Sequence, residues 1–247
     1  MIKLVAFAAA LALSASAAGA VEIKVLSGNG PRAAVIALCA QFEKATGNKV
    51  NLRFGVNPEV KQKIESGETF DVVVGNPPII DALIKDKLVI GPRSDIGGSG
   101  LAVAVKSGAL KPDIGTVDAF KKTLLATKAV AYPGKGASGI YFVSLLDRMG
   151  IKDQMQSKLK PMAAEDTVEV VARGEAEMVV VVATRITGVA GVDVVGPIPA
   201  ELQTKIGFAA GLSAGAKEPD AAKALMGFLT APSAASTLRA NGVEPAS

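Results

Sequence analysis

The chain has 247 residues, of which 49% are hydrophobic, and its 27 basic and 23 acidic side chains give a formal net charge of +4. It contains no His, no Trp and a single Cys. This composition excludes an internal disulfide framework and catalytic sites that need His, and it argues against nucleic-acid binding, which requires clustered basic and aromatic residues. We therefore expect no metal, no cofactor and no nucleic-acid partner.

The first twenty residues have the order of a secretory signal peptide. Lys3 supplies a positive charge, Leu4 to Leu13 form an unbroken apolar run, and Ala18-Gly19-Ala20 has the A-x-A cleavage pattern. The apolar run is about half the roughly 20 residues that cross a bilayer, so a membrane anchor is disfavoured. We expect cleavage after Ala20 and a soluble periplasmic mature protein.

Strand-like and helix-like segments alternate through the first hundred residues. We predict strands at residues 21–26, 49–54 and 70–75, and helices at 31–46, 59–66 and 79–87. Asn57-Pro58 has the form of an N-cap followed by a proline in the first helical turn. This order predicts a doubly wound α/β lobe, with Gly97 to Gly100 as a flexible break after it. The single Cys39, in the first predicted helix, is expected to be buried.

A second α/β series begins with a crossing strand at residues 101–105. The remaining predicted helices lie at 117–126, 140–149, 167–173, 220–229 and 233–240, and the strands at 129–132, 178–183, 193–195 and 206–212. The sequence therefore predicts an α/β protein of two doubly wound lobes joined by two hinge strands. Residues 21–100 and 207–247 would form the first lobe, and residues 101–206 the second.

Four loops follow predicted strands, at residues 27–32, 54–59, 132–141 and 183–187, and ligands bind at that end of the strands in open α/β sheets. Three of these loops lead into a predicted helix, whose free N–H groups and dipole favour an anion. The candidate ligand-binding residues, which add hydrogen-bonding groups and positive charge, are Asn29, Gly30, Arg32, Asn57, Lys135, Ser138, Thr184 and Arg185. The alternatives are a helix cap for Asn57, turns for the glycines, and solvent exposure for the basic side chains.

Two motifs that resemble catalytic sites are incomplete. Gly134 to Gly139 lacks the G-x-x-x-x-G-K-[ST] spacing of a phosphate loop. The acidic pairs Glu165-Asp166 and Glu175/Glu177 are explained by a helix entry and a strand start. We therefore expect no catalytic residues and no enzymatic activity.

The order and spacing of several segments resemble the molybdate-binding-like branch of periplasmic solute-binding proteins, the soluble receptors of ABC importers. The resemblance covers almost the whole predicted mature chain. It implies a type II two-lobed receptor that closes on its ligand, acts as a monomer, and delivers the ligand to a cognate inner-membrane permease. The matching segments are Phe54-Gly55, Lys63 to Gly67, Phe70 to Val74, Ala129 to Ala131, Ala137 to Tyr141, Lys158-Leu159, Ala164 to Val168, and Gly174 to Glu177 before Val179 to Val182.

The predicted pocket departs from the molybdate pattern of that family. The resemblance implies hydroxyl side chains in the first two loops and a Tyr after the late apolar strand, but these positions hold Gly30, Asn57-Pro58 and Val182. Because Arg185 and Lys135 match a carboxylate, a small organic acid is the favoured ligand. The alternatives are a molybdate- or tungstate-type oxyanion receptor, an exported enzyme on the same scaffold, and a signalling receptor.

Overall fold

The structure of the protein, a computed structural model, describes residues 19–246. Most of the predicted signal peptide therefore lies outside the described residues. The strands are β1 (Glu22–Gly28), β2 (Lys49–Gly55), β3 (Val72–Gly75), β4 (Val89–Ser99), β5 (Leu101–Lys106), β6 (Val130–Pro133), β7 (Leu159–Met162), β8 (Met178–Val182), β9 (Val192–Pro197), β10 (Ile206–Ser213) and β11 (Glu244–Pro245). The helices are α1 (Arg32–Thr46), α2 (Asn57–Glu65), α3 (Pro77–Lys85), α4 (Val117–Ala126), α5 (Ala137–Arg148), α6 (Lys152–Met155), α7 (Glu169–Ala172), α8 (Pro219–Thr230) and α9 (Ala235–Ala240).

Local sequence accounts for most of these elements. The apolar strand β3 is buried along its whole length, as expected for a strand with neighbours on both sides and helices above and below. Helix α1 buries side chains three and four positions apart, and it ends at Gly47, whose left-handed φ of 77° suits glycine. Proline occupies the first turn of α2, α3 and α8, where its missing N–H leaves no hydrogen bond unmade.

The strands form two sheets. The first has the order β11-β4-β10-β3-β1-β2, with β1 parallel to β2 and β3, and β10 antiparallel to β3 and β4. The second has the order β7-β6-β8-β5-β9, with β6 parallel to β7 and β8, and β5 antiparallel to β8 and β9. Each sheet with its helices is called a lobe below, the first lobe containing β1 and the second β5.

The chain crosses between the lobes twice. It leaves the first sheet after Ser99 and enters the second at Leu101, and it returns between the end of β9 and the start of β10. Helices α8 and α9 contact α1 and strands of the first sheet, so the C-terminal residues pack on the first lobe. The division of the chain at residues 100/101 and 206/207 stays a prediction.

The two lobes lie against each other. One cluster of buried apolar side chains contains residues of both sheets, such as Val25 of β1 and Val181 of β8. The Thr184 hydroxyl of the second lobe donates a hydrogen bond to the Gly30 carbonyl of the first, at 2.6 Å. Among residues 19–246, no helix combines the length and the apolar character needed to span a membrane.

Two expectations about local structure are wrong. Gly97 to Ser99 is not a flexible break but the end of β4, paired with both β10 and β11. A side chain at Gly97 would lie 2.2 Å from the Glu244 carbonyl oxygen, so this glycine permits close strand packing. Asn57 is not an N-cap either, because Val56 holds that position and Asn57 is the first residue of α2.

Several boundaries differ from the predicted ones. Helix α5 begins at Ala137 rather than at 140, and α7 is confined to Glu169–Ala172 because residues 164–168 form turns. Strands β4 and β7 and the short helix α6 had no counterpart in the sequence analysis. Strand β4 includes Gly91 and Pro92 and pairs irregularly with β10, so its sequence lacks the alternation that indicates a strand.

Candidate functional site

A cleft between the two lobes contains most of the candidate residues. Its inner part has a volume of about 50 Å³ and its outer part about 630 Å³. Both parts are lined by residues of both lobes, so a ligand in either would contact the two lobes together. The two parts are adjacent, because they share the lining residues Asn29, Val56, Pro133, Gly136 and Ala164.

The first lobe contributes a pair of asparagines to the inner cleft. The Asn57 side-chain amide donates to Asn76 Oδ1, and the Asn76 backbone N–H donates to Asn57 Oδ1 at 3.2 Å. Asn76 Nδ2 also donates to the Gly207 carbonyl at 2.7 Å, which joins the pair to β10. The Asn57 amide fits between two strand ends because Gly28 and Gly75 have no side chain, and a Cβ at either would lie within 2.9 Å of Asn57 Oδ1.

The second lobe contributes the loop between β6 and α5. Ser138, in the first turn of α5, is buried and lines the inner cleft. The first four N–H groups of a helix have no partner within the helix, so this end of α5 offers donors to an anion. Gly139 holds the turn tightly against the strand, since a Cβ there would lie 1.8 Å from the Pro133 carbonyl oxygen.

Arg185 is the half-buried charge of the inner cleft. It follows β8 in a short 3₁₀ helix, Ala183–Arg185, and its Nη2 donates to the Ala164 carbonyl at 2.8 Å. Its Nε is buried and has no hydrogen-bond partner among the described residues. Burial lowers the pKa of the Arg185 guanidinium below its ordinary value. The charges of Glu169 and Glu165 oppose that shift and the charge of Arg32 adds to it, with burial the largest of these effects.

The outer cleft is more polar and more exposed. Arg32, the first residue of α1, places its guanidinium over the Phe54 ring, 4.4 Å from the centroid. Lys135 of the second lobe is exposed at the rim of the cleft. Two carboxylates, Glu59 and Glu165, also line this part. The outer cleft therefore presents both signs of charge, whereas the inner part has only Arg185.

The structure brings seven of the eight candidate residues to the cleft. Asn29 lines both parts; the inner part adds Gly30, Asn57, Ser138 and Arg185, and the outer part adds Arg32 and Lys135. Thr184 does not line the cleft, because its hydroxyl bonds to the Gly30 carbonyl and holds the lobes together. The role of all eight candidate residues in ligand binding stays a prediction.

Asn76 and Phe208 are among the lining residues that the sequence analysis did not propose as candidates. Asn76 follows the buried strand β3 and precedes Pro77, which is the same pattern that drew attention to Asn57. It was therefore within reach of sequence analysis. Phe208 of β10 lines the inner cleft. Sequence periodicity indicates only that this side chain is buried, not that it borders a cavity.

Among the described residues, the inner cleft is mainly apolar around a single charged side chain. The inner cleft combines Arg185 and the amides with eight apolar lining residues, namely Val56, Pro133, Ala137, Ala164, Val181, Val182, Ile206 and Phe208. Within residues 19–246 no three His, Cys, Asp or Glu side chains are grouped so as to hold a metal ion. The ionisable side chains of the cleft that could transfer a proton are Glu59, Glu165 and Lys135.

Comparison with known proteins identifies relatives along nearly the whole chain. The family described as bacterial extracellular solute-binding protein matches residues 23–244. An aconitate isomerase from Pseudomonas sp. is 33% identical over 230 residues, covering 90% of this chain and 87% of the relative. A molybdate-binding protein from Azotobacter vinelandii is 28% identical over 243 residues, covering 93% of this chain and 92% of the relative.

Solved structures support the architecture. The periplasmic molybdate-binding protein of Azotobacter vinelandii superposes with a TM-score of 0.78 at 19% identity, covering 91% of this chain and 100% of that one. The α/β fold of the type II binding proteins, predicted from the sequence, is thereby confirmed.

The prediction that the chain has no enzymatic activity is contradicted. It relied on the absence of His, but the relative at 33% identity is named as an isomerase. Carboxylates and amines also transfer protons in enzymes, so the absence of His does not exclude catalysis.

Proposed function

The chain belongs to the bacterial extracellular solute-binding protein family. From that premise, we propose that its cleft binds the anion of a small organic acid. The bound acid would be delivered to a cognate ABC permease of the inner membrane. Residues 1–20 would act as the export signal and leave a periplasmic receptor beginning at Val21. The family match over residues 23–244 supports a receptor role over the length of the mature chain.

The buried Nε of Arg185, unpaired among the described residues, is the observation that most supports the proposal. Its guanidinium is half-buried with an unsatisfied Nε, and an unsatisfied buried donor costs about 1–3 kcal/mol. A carboxylate of the ligand would accept that hydrogen bond and neutralise the charge, because the planar guanidinium fork matches a carboxylate. The cost of burying Arg185 is then offset in the bound state.

The walls of the inner cleft favour an organic acid over an inorganic oxyanion. A tetrahedral oxyanion needs donors on all sides, whereas this part of the cleft is lined mainly by apolar groups such as Val181, Val182 and Phe208. Apolar walls match the carbon skeleton of an organic acid. One family relative is named for aconitate, an unsaturated tricarboxylate, and another for molybdate. Molybdate, tungstate or sulfate is the alternative ligand class.

A second candidate function is isomerisation of an unsaturated polycarboxylate. It is favoured by the relative at 33% identity that is named aconitate isomerase. Moving a double bond along such an acid needs removal of a proton at one carbon and its return at another. Glu59, Glu165 and Lys135 line the outer cleft and are the groups able to carry that proton.

Calorimetry on the purified mature protein tests the binding proposal. We expect tri- and dicarboxylates to bind, and the Arg185→Gln variant to bind them roughly ten- to a hundredfold more weakly, because a charge-assisted hydrogen bond contributes about 1.5–3 kcal/mol. Arg53→Gln is the control, since Arg53 is 66% exposed and pairs with Glu68 away from the cleft. Tight binding of molybdate with no carboxylate bound would refute the proposal.

Proton NMR tests the second function. Incubating the protein with cis- or trans-aconitate would convert one isomer into the other if the chain is an isomerase. Binding without conversion would refute the isomerase function and agree with the receptor function.

A further inference from the structure

We propose that Arg32 and Arg185, one from each lobe, bind two separate carboxylates of one ligand, so that the cleft takes short di- or tricarboxylates rather than monocarboxylates. The inference rests on the proposed binding of an organic acid and extends it to the number of charges that the cleft recognises.

The two arginines lie on segments that are in direct contact. Thr184 precedes Arg185, and its hydroxyl donates to the carbonyl of Gly30, two residues before Arg32, at 2.6 Å. This hydrogen bond fixes the segment with Arg32 against the segment with Arg185. Both side chains line the cleft, Arg185 in its inner part and Arg32 in its outer part, and each comes from a different lobe.

Both guanidinium groups lack a carboxylate partner within the described part of the chain. Arg185 donates one hydrogen bond to a backbone carbonyl, and Arg32 stacks on Phe54. Burial is the main cause of the lowered pKa of Arg185; the charge of Arg32 adds to the shift, and the charges of Glu169 and Glu165 oppose it. A ligand with two carboxylates would pair with both guanidinium groups, whereas a monocarboxylate would pair with only one.

The residues between the two arginines suit the skeleton of such a ligand. The parts of the cleft meet at Val56, Pro133 and Ala164, whose apolar groups would contact the carbons between two carboxylates. Lys135 lies at the rim, where a third carboxylate would find a positive charge in solvent. Because one arginine comes from each lobe, a ligand that bridges them also holds the lobes together.

Calorimetry with a matched ligand pair tests the inference. Succinate and succinamate have nearly the same size, but succinamate has an uncharged amide in place of one carboxylate. We expect wild-type protein to bind propane-1,2,3-tricarboxylate and succinate roughly ten- to a hundredfold more tightly than succinamate. Arg32→Gln should remove most of that preference, because it should weaken succinate binding and leave succinamate binding nearly unchanged.

Further variants separate the possible failures. Arg185→Gln should weaken the binding of all three ligands. Arg32→Lys keeps the positive charge but loses the planar guanidinium, so its affinity for succinate should lie between those of wild type and Arg32→Gln. Arg53→Gln should match wild type, and unchanged melting temperatures would show that the variants fold. If Arg32→Gln binds succinate and the tricarboxylate within twofold of wild type while Arg185→Gln does not, the inference fails and the proposed function stands. If wild type binds no carboxylate at all, both fail.

Discussion

Gln203 joins the two chain crossings between the lobes, and its removal should destabilise the protein measurably. Its Oε1 accepts a hydrogen bond from the Leu101 N–H at 2.9 Å, and its Nε2 donates to the Leu101 carbonyl at 2.7 Å. The amide thus pairs with Leu101 as a backbone peptide would. It sits over Gly100, where a Cβ would lie 2.8 Å from Gln203 Oε1. The side chain of the second crossing therefore holds the backbone of the first.

The expected loss follows from these two bonds. The Leu101 carbonyl keeps the N–H of Ile198 as a donor at 3.2 Å, but the buried Leu101 N–H would lose its side-chain acceptor. With about 0.5–1.5 kcal/mol for each bond, Gln203→Ala should cost about 2 kcal/mol. For a chain of this size, that lowers the melting temperature by roughly 4–8 °C.

Urea and thermal unfolding of purified protein measure this loss. Gln154→Ala, which removes an exposed amide on α6, should stay within about 0.5 kcal/mol of wild type. Gln203→Glu can still accept from Leu101 but cannot donate while ionised, so it should be destabilised at pH 7 and partly recover below about pH 4. A Gln203→Ala variant as stable as the Gln154→Ala control would refute the role assigned to this amide.

Two further predictions concern single residues. Gly139→Ala should cost about 3 kcal/mol or more in urea unfolding, because its Cβ would overlap the Pro133 carbonyl oxygen, whereas Gly227→Ala in α8, where a Cβ meets open space, should stabilise by about 0.5–1 kcal/mol. Equal effects of the two changes would contradict the close approach at Gly139. Burial, with a smaller contribution from Glu43, raises the pKa of Cys39 to about 12, so the neutral thiol is favoured in the folded state. The resulting stability is present below the unfolded pKa of about 8.5 and is lost as the pH rises towards 12. A thiol reagent at pH 8 should therefore label Cys39 only after unfolding in urea, and rapid labelling of the native protein would disprove its burial.

The alternation of strands and helices was predictable from sequence because it depends on local patterns. The apolar run Val72 to Val74, the glycine after α1 and the prolines that begin α2 and α3 each specify structure within a few residues. The loops that line the cleft were predictable for the same reason, since they follow strands in an α/β fold. Arg185 was found in this way, directly after the buried strand β8.

The tertiary structure decided the contacts between residues far apart in sequence. Gly97 was predicted as a flexible break because glycine is permissive in isolation, yet Glu244 packs against it and requires its missing side chain. Thr184 was predicted as a ligand contact, but its hydroxyl bonds to Gly30, 154 residues away. Sequence patterns report which face of a segment is apolar, whereas the partner of a polar group depends on how distant segments pack. For this reason the sequence located the loops of the cleft, and only the folded chain showed which of their polar groups bond to other parts of the protein and which line the cleft.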